Sequence, residues 1–292
     1  MDLVQFIRER NRIRDCKDAG QPFPWTEDSI LQRYFISNID CEDDKTTRWL
    51  KKHWRDPHED DPDLWFAISV FRRGINAPNP LPYPAPWRPV TFLKTPFTVN
   101  SQAYKLIVGH KQSSGGFHGT NKELLVYYVL NPLWRHREEY RPILNESHES
   151  YFNRLSAFKW MGGWYAYRVI CDLKHTKWLR NSPVWWTWLQ LGPGTLRGLN
   201  RVMGRDPRFG LYHGKDGGVV FTLNEEEKKR YAEEVNNLRV LLGLEHLNAQ
   251  VVGGALCEFD KYERIRLGEE GRVRPYTDCA VVTAKEPNAR LI

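Results

Sequence analysis

The sequence predicts a mainly α-helical protein with a proline-rich, short β-containing insertion, and three observations carry that prediction. Apolar residues recur at helical spacing behind N-capping residues along most of the chain. Strand-like alternation is confined to two stretches, 98–108 and 218–222. Between 76 and 121 the chain carries Pro78, Pro80, Pro82, Pro84, Pro86, Pro89 and Pro96, a density that no regular helix tolerates.

Taken in order, Leu3, Phe6, Ile7 and Ile13 share one face of a first helix that ends near Gly20 and the turn at Pro22 and Pro24. Thr26 is placed to cap a second helix carrying Ile30, Leu31 and Tyr34, and Asp40 a third carrying Trp49 and Leu50. A fourth covers about 63–73. After the proline-rich arm, a Gly/Ser loop at 113–119 leads into a helical run over 122–140. Further helices are predicted at 151–160, 163–180, 185–191, 195–203 and 224–242, with no internal repeat. These elements make a single composite helical domain over 1–292: N-terminal helices in 1–75, the insertion in 76–121, and a helical core in 122–292.

The chain has 292 residues with 43 basic and 36 acidic groups, a formal charge of +7, and 12 Trp. Its apolar content is that of a globular protein, which excludes disorder for the chain as a whole. No apolar run is long enough to span a membrane, and the N-terminus MDLVQFIRER lacks a signal-peptide core, so a cytoplasmic protein is expected. Five cysteines without a CxxC pair and nine histidines without HExxH spacing predict reduced thiols, no metal-ligand set and no tightly bound cofactor. No GxxxxGK[ST] motif exists, so the chain is not expected to be a P-loop kinase itself.

The charge is not spread evenly. Residues 151–220 hold 11 basic and 3 acidic groups, whereas 1–60 and 221–292 are each slightly acidic. Arg outnumbers Lys 27 to 16, which suits bidentate contact with phosphate. A nucleic-acid backbone is the obvious polyanion, and a solvated basic face is the plain alternative.

Inside the basic segment lies Leu189-Gln190-Leu191-Gly192-Pro193-Gly194-Thr195-Leu196-Arg197-Gly198-Leu199, which has the form of a helix–hairpin–helix. Glycines permit close backbone approach, and a helix N-terminus offers free N–H groups, so Gly192, Gly194 and Thr195 are candidate phosphate contacts. Arg197, Arg201 and Arg205 follow at i, i+4 and i+8, and the first two are DNA-binding candidates. A C-cap glycine followed by an N1 proline also joins ordinary helices. Six tryptophans between Trp160 and Trp188, with Tyr165 and Tyr167 among them, fill a core or stack on an extruded base. In Leu256-Cys257-Glu258-Phe259-Asp260-Lys261-Tyr262-Glu263-Arg264, Asp260 and Arg264 form an i, i+4 pair, as on many surface helices. Arg8, Arg10, Arg12 and Arg14 place basic groups on two faces of the first helix, and Glu42-Asp43-Asp44 reads as dipole complementation.

These motifs together resemble a known family. Phe6-Ile7-Arg8-Glu9-Arg10-Asn11-Arg12-Ile13-Arg14, Pro24-Trp25-Thr26, Thr47-Arg48-Trp49-Leu50, Gly162-Gly163-Trp164-Tyr165-Ala166-Tyr167 with Asp172-Leu173, the Gly192-Pro193-Gly194 hairpin and Leu256 to Tyr262 recur in that order. In that arrangement the chain is similar to the phage α-glutamyl/putrescinyl thymine pyrophosphorylases. Those proteins, also described as amino-acid:DNA transferases, share the helical domain of 5-hydroxymethyluracil DNA kinases. The tail from Gly268 to Tyr276 departs from the family pattern, as do Cys41 and Arg168.

The resemblance implies a DNA-glycosylase-like helix–hairpin–helix fold. It also implies an activity on 5-(pyrophosphoryloxymethyl)uracil in double-stranded DNA, in which an amine displaces pyrophosphate, with a functional link to the kinase. Family order then points to Asp260 or Glu258 as the essential carboxylate, with Lys261 and Asp172 beside them. Arg12, Arg14 and Arg264 become candidates for pyrophosphate, Trp25, Trp164, Tyr165 and Tyr167 for the base pocket, and Mg²⁺ a companion of the diphosphate. The same hairpin and carboxylate would serve a DNA glycosylase acting on a modified pyrimidine, or a DNA-binding module without catalysis. A phage origin would place the protein in the host cytoplasm.

Overall fold

The computed structural model describes residues 1–73, 75–76, 81–99, 119–213, 219–269, 271 and 275. Helices α1 (Leu3–Asp18), α2 (Ser29–Arg33), α3 (Lys45–Leu50), α4 (Leu64–Phe71), α5 (Pro89–Lys94), α6 (Asn121–Leu124), α7 (Asn131–Arg135) and α8 (Arg137–Tyr140) are followed by α9 (His148–Ser156), α10 (Gly163–Leu173), α11 (Pro193–Val202), α12 (Glu225–Leu241) and α13 (Ala249–Arg266). π-helical turns at Lys51–Arg55 and Leu125–Leu130 extend α3 and α6. Strands are short: β1 (Ile75–Asn76) pairs antiparallel with β2 (Thr98–Val99), and β3 (Leu211–His213) with β4 (Val219–Phe221). The mainly helical class with a small β component is as the sequence predicts. No helix of the described residues is long and apolar enough to cross a membrane.

The chain divides into two compact units, a terminal unit of Met1–Asp44 with Trp186–Ile292 and a central unit of Lys45–Trp185. These cut the chain differently from the three segments drawn from sequence.

In the terminal unit α13 runs through the core. Its Val252, Ala255 and Leu256 are fully buried among Phe6, Ile13, Ile36, Leu196 and Leu199. Phe6 of α1 lies 5.5 Å from both Phe259 and Tyr262, edge-on to the first. Helix α11 crosses α13 at a distance that only glycine allows. A Cβ at Gly198 would fall 2.0 Å from the Leu256 carbonyl oxygen, and one at Gly194 would fall 2.3 Å from Cys257 Sγ. Two glycines four residues apart therefore serve helix packing, as small residues on one helix face do.

Several local expectations are corrected. Asp28, not Thr26, caps α2: its carboxylate accepts from Ile30 N and Leu31 N, while Thr26 bonds Glu9. Asp40 caps a 3₁₀ turn at Cys41–Asp43, and the helix carrying Trp49 and Leu50 starts afresh at Lys45. No helix covers 185–191, so α11 lacks the preceding helix of the expected hairpin. Aromatic and β-branched residues favour helix weakly. Here their carbonyls are used elsewhere: Trp186 O accepts from Ala249 N at the start of α13, and Thr187 O from Asn236. Leu189 and Leu191 then bury at a strand-like period of two.

In the central unit the apolar α4 is buried on all sides, and α10 packs against it. Helix α10 stops at Leu173, seven residues short of the prediction, because the Thr176 amide and hydroxyl both bond the Leu173 carbonyl. The run at 122–140 is helical but breaks at His136 between α7 and α8. Most of the Gly/Ser loop and the strand expected beyond Val99 lie outside the described residues.

Candidate functional site

Four of the residues proposed from sequence, Arg197, Arg201, Asp260 and Arg264, converge at one place in the terminal unit. Asp260, on α13, has no exposed surface. Its Oδ1 accepts from Arg201 Nε at 2.9 Å, and its Oδ2 from Arg197 Nε at 2.8 Å and Arg264 Nε at 3.2 Å. The convergence follows from helix geometry. Arg197 and Arg201 sit one turn apart on α11, Asp260 and Arg264 one turn apart on α13, and the glycine crossing brings the two faces together.

The way these bonds are made matters more than their number. Each arginine gives Asp260 its Nε, so the Nη nitrogens are left to point elsewhere. Among the described residues the Nη groups of Arg197 and Arg264 make no hydrogen bond, and those of Arg201 both meet the Glu269 carboxylate. The side chains of Arg197, Arg201 and Arg264 are 18%, 8% and 19% exposed, so a cationic edge reaches solvent from a buried anchor. Three guanidinium groups against one buried carboxylate leave two positive charges uncompensated, and Glu269 offsets one. Partly desolvated surplus charge of this kind attracts an oxyanion with several acceptors.

Glu258 and Lys261 lie on a different face of α13. Glu258 Oε2 accepts from Ser37 N at 2.8 Å and from Lys261 Nζ at 2.6 Å, while Oε1 has no bond among the described residues. Burial, with Glu258 beside it, pushes the Cys257 thiol up to about 11, so this cysteine is a packed thiol rather than a thiolate nucleophile.

At the start of α11, Gly192 caps without a side-chain bond, and Thr195 donates its hydroxyl to the Gly253 carbonyl at 3.0 Å. Gly194 and Thr195 thus face α13, whereas a Cβ at Gly192 would meet only Thr195 Oγ1, at 3.9 Å. Arg205 does not extend the arginine row. It follows the end of α11 and pairs with Glu234 of α12.

The other sequence candidates are placed apart. Arg12 forms a fork with Glu9, which lowers the Glu9 carboxyl below its ordinary value through that hydrogen bond. Arg14 bonds Asp15 and, at 2.5 Å, Asp43. Trp25 packs on the terminal core, donates to Gln21 O and carries Lys17 over its ring. Trp164, Tyr165 and Tyr167 belong to the central unit. There Trp164 is exposed, Tyr167 half-buried, and Tyr165 is a core residue with Arg73 stacked 3.7 Å from its ring centre. Asp172, also central, is fully buried and held bidentately by Arg72 at 2.5 and 2.6 Å, and Arg72 reaches Thr47 as well. Sequence reasoning missed Glu269. Its only signal was the Gly268 that turns the chain back after α13.

Fold and site together define a helical module that anchors three partly exposed arginines on one buried carboxylate. The chain belongs to the family of the 5-hmdU DNA kinase helical domain, whose model matches residues 1–75 and 98–271. The match leaves out 76–97, which falls in the proline-rich insertion, and 272–292. No curated protein and no solved structure matches the chain.

Proposed function

We propose that this protein takes part in the modification of hydroxymethyluracil in DNA, and that it replaces pyrophosphate on 5-(pyrophosphoryloxymethyl)uracil with an amine, as the α-glutamyl/putrescinyl thymine pyrophosphorylases are thought to do. Family membership supports the first half. The observation that carries the second is the surplus of arginine charge anchored on Asp260.

The reaction needs little covalent help from the protein. The amine nitrogen forms a bond to the exocyclic methylene carbon, and the carbon–oxygen bond breaks with its electron pair going to pyrophosphate. The amine attacks in its neutral form, so the proton of the free ammonium goes first to a base or to water. Negative charge builds on the departing diphosphate, which in this reading is met by the unengaged Nη groups of Arg197 and Arg264, with those of Arg201 held by Glu269. Asp260 acts in this reading as a positioning residue: with no exposed surface and both oxygens engaged, it fixes three guanidinium groups rather than touching substrate. Glu258, with Oε1 unengaged and Lys261 alongside, is the carboxylate left to take the amine's proton.

Gly192 and the N-terminal amides of α11 supply a DNA-backbone contact beside this edge. No group of three His, Cys, Asp or Glu side chains among the described residues is placed to hold a metal. Mg²⁺ arriving on the diphosphate would be carried by phosphate oxygens and water.

The test is to incubate the protein with duplex DNA containing 5-(pyrophosphoryloxymethyl)uracil and candidate amines, then to measure free pyrophosphate and nucleoside masses. Pyrophosphate release with an amine-bearing nucleoside on intact strands is expected. Abasic sites would replace this reading with base excision, and no change in the DNA would leave a binding module.

A further inference from the structure

The helix that carries Asp260 ends in a closed cap that aims a carboxylate back at the arginines. Gly268 adopts the left-handed conformation (φ +68°), its amide bonds Ile265 O at 3.2 Å, and the Glu269 amide bonds Arg264 O at 2.8 Å. This is the paired closure that a glycine at the first position past a helix permits. It sets Glu269 against Arg201, where both carboxylate oxygens meet both Nη nitrogens. Two residues on, the backbone at Gly271 passes so close to Arg264 that a Cβ there would lie 1.7 Å from Nη1. Glu269 and Gly271 therefore lie against two of the three arginines that Asp260 anchors.

We infer that Glu269 is a resident stand-in for a phosphate group, and that a phosphate oxyanion entering the Arg197–Arg201–Arg264 edge displaces it from Arg201. Several features support this. The Asp260 anchor is buried and fixed, whereas Glu269 is 40% exposed and held by one cap, so the exchangeable partner is the outer one. A fork-to-fork carboxylate contact on arginine has the same planar donor demand as two oxygens of a phosphate. A diphosphate also brings more acceptors and charge than one carboxylate, and can reach Arg197 and Arg264 at once. This deepens the reading given above and rests on it for the choice of ligand. The phosphate has two conceivable sources, a free or departing diphosphate and the DNA backbone.

Calorimetric titration of the full chain with inorganic pyrophosphate, and separately with unmodified duplex DNA, distinguishes them. Wild type is expected to bind pyrophosphate. Glu269→Gln, which keeps the shape and removes the competing charge, should bind about two- to fivefold tighter, the weight of one partly exposed ion pair. Gly268→Ala, which strains the cap that aims Glu269, should shift affinity the same way. Arg264→Gln, checked for folding by thermal melting, should bind at least about tenfold more weakly. If the Glu269→Gln gain appears for duplex DNA and not for pyrophosphate, the displacing phosphate is the backbone. If neither ligand binds, or if Glu269→Gln changes neither affinity, the inference is overturned. A protein that binds pyrophosphate as described yet releases none from modified DNA would keep this inference and lose the proposed reaction.

Discussion

The two units each bury an aspartate completely, and they use it differently. Asp172 in the central unit meets one arginine, Arg72, in a bidentate pair that Thr47 also joins, so the two charges cancel within the pair. Asp260 in the terminal unit meets three arginines through Nε alone, which leaves their outer nitrogens and a net positive charge at the surface. A buried carboxylate paired one-to-one leaves no local charge, whereas one that anchors more cations than it neutralises leaves a local positive surplus. The family match covers both aspartates, so membership alone does not tell them apart.

The largest effects should come from removing either carboxylate. Asp172→Ala leaves Arg72 buried and unpaired and should cost about 3–5 kcal/mol of stability, read by urea unfolding followed through tryptophan fluorescence. Replacing both members, Asp172→Leu with Arg72→Met, should recover most of that loss. The matching Asp260→Asn substitution should lower anion affinity even in protein that remains folded, because it releases the arginines. If Asp260→Asn keeps full affinity for pyrophosphate, the contrast between the two aspartates fails.

Gly198→Ala should come next. Its Cβ would sit 2.0 Å from a backbone oxygen that cannot step aside, so α11 and α13 must separate, at a cost of about 3 kcal/mol. A melting temperature lowered by several degrees, with weaker pyrophosphate binding, would show that the crossing builds the site.

The central unit also carries an acid-sensitive group. Burial lowers the His148 imidazole from 6.5 to about 4. Between those values the unfolded chain binds the proton and the folded unit does not, so stability falls as pH drops through that window, by up to about 3 kcal/mol at its lower end. Unfolding measured at pH 7 and pH 4.5 should show this loss, and His148→Leu should flatten the dependence. Smallest of all, Gly268→Ala should cost about 1 kcal/mol while loosening Glu269.

Much of this was legible in the sequence. Periodicity placed α1, α11 and α12 within a residue or two, and the i, i+4 spacings put Arg197 beside Arg201 and Asp260 beside Arg264. Neither spacing says which helix faces which. That information lies in Gly194 and Gly198: Gly194 reads equally well as a phosphate contact or as a close crossing, and at Gly198 only the structure shows the crossing. The expected helix at 185–191 was lost because tertiary hydrogen bonds from Asn236 and Ala249 outweigh local propensity. Glu269 was invisible because its partner lies 68 residues away.

The most direct measurement is the product formed from 5-(pyrophosphoryloxymethyl)uracil DNA by wild type and by Arg197→Gln, with the stability-restored Asp172→Leu/Arg72→Met protein as control. Wild type and control should release pyrophosphate and yield an amine-bearing nucleoside, and folded Arg197→Gln should do so about a hundredfold more slowly, the loss of one oxyanion donor. Abasic sites from the wild type, or an undiminished rate from Arg197→Gln, would contradict the role given to the Asp260 arginines.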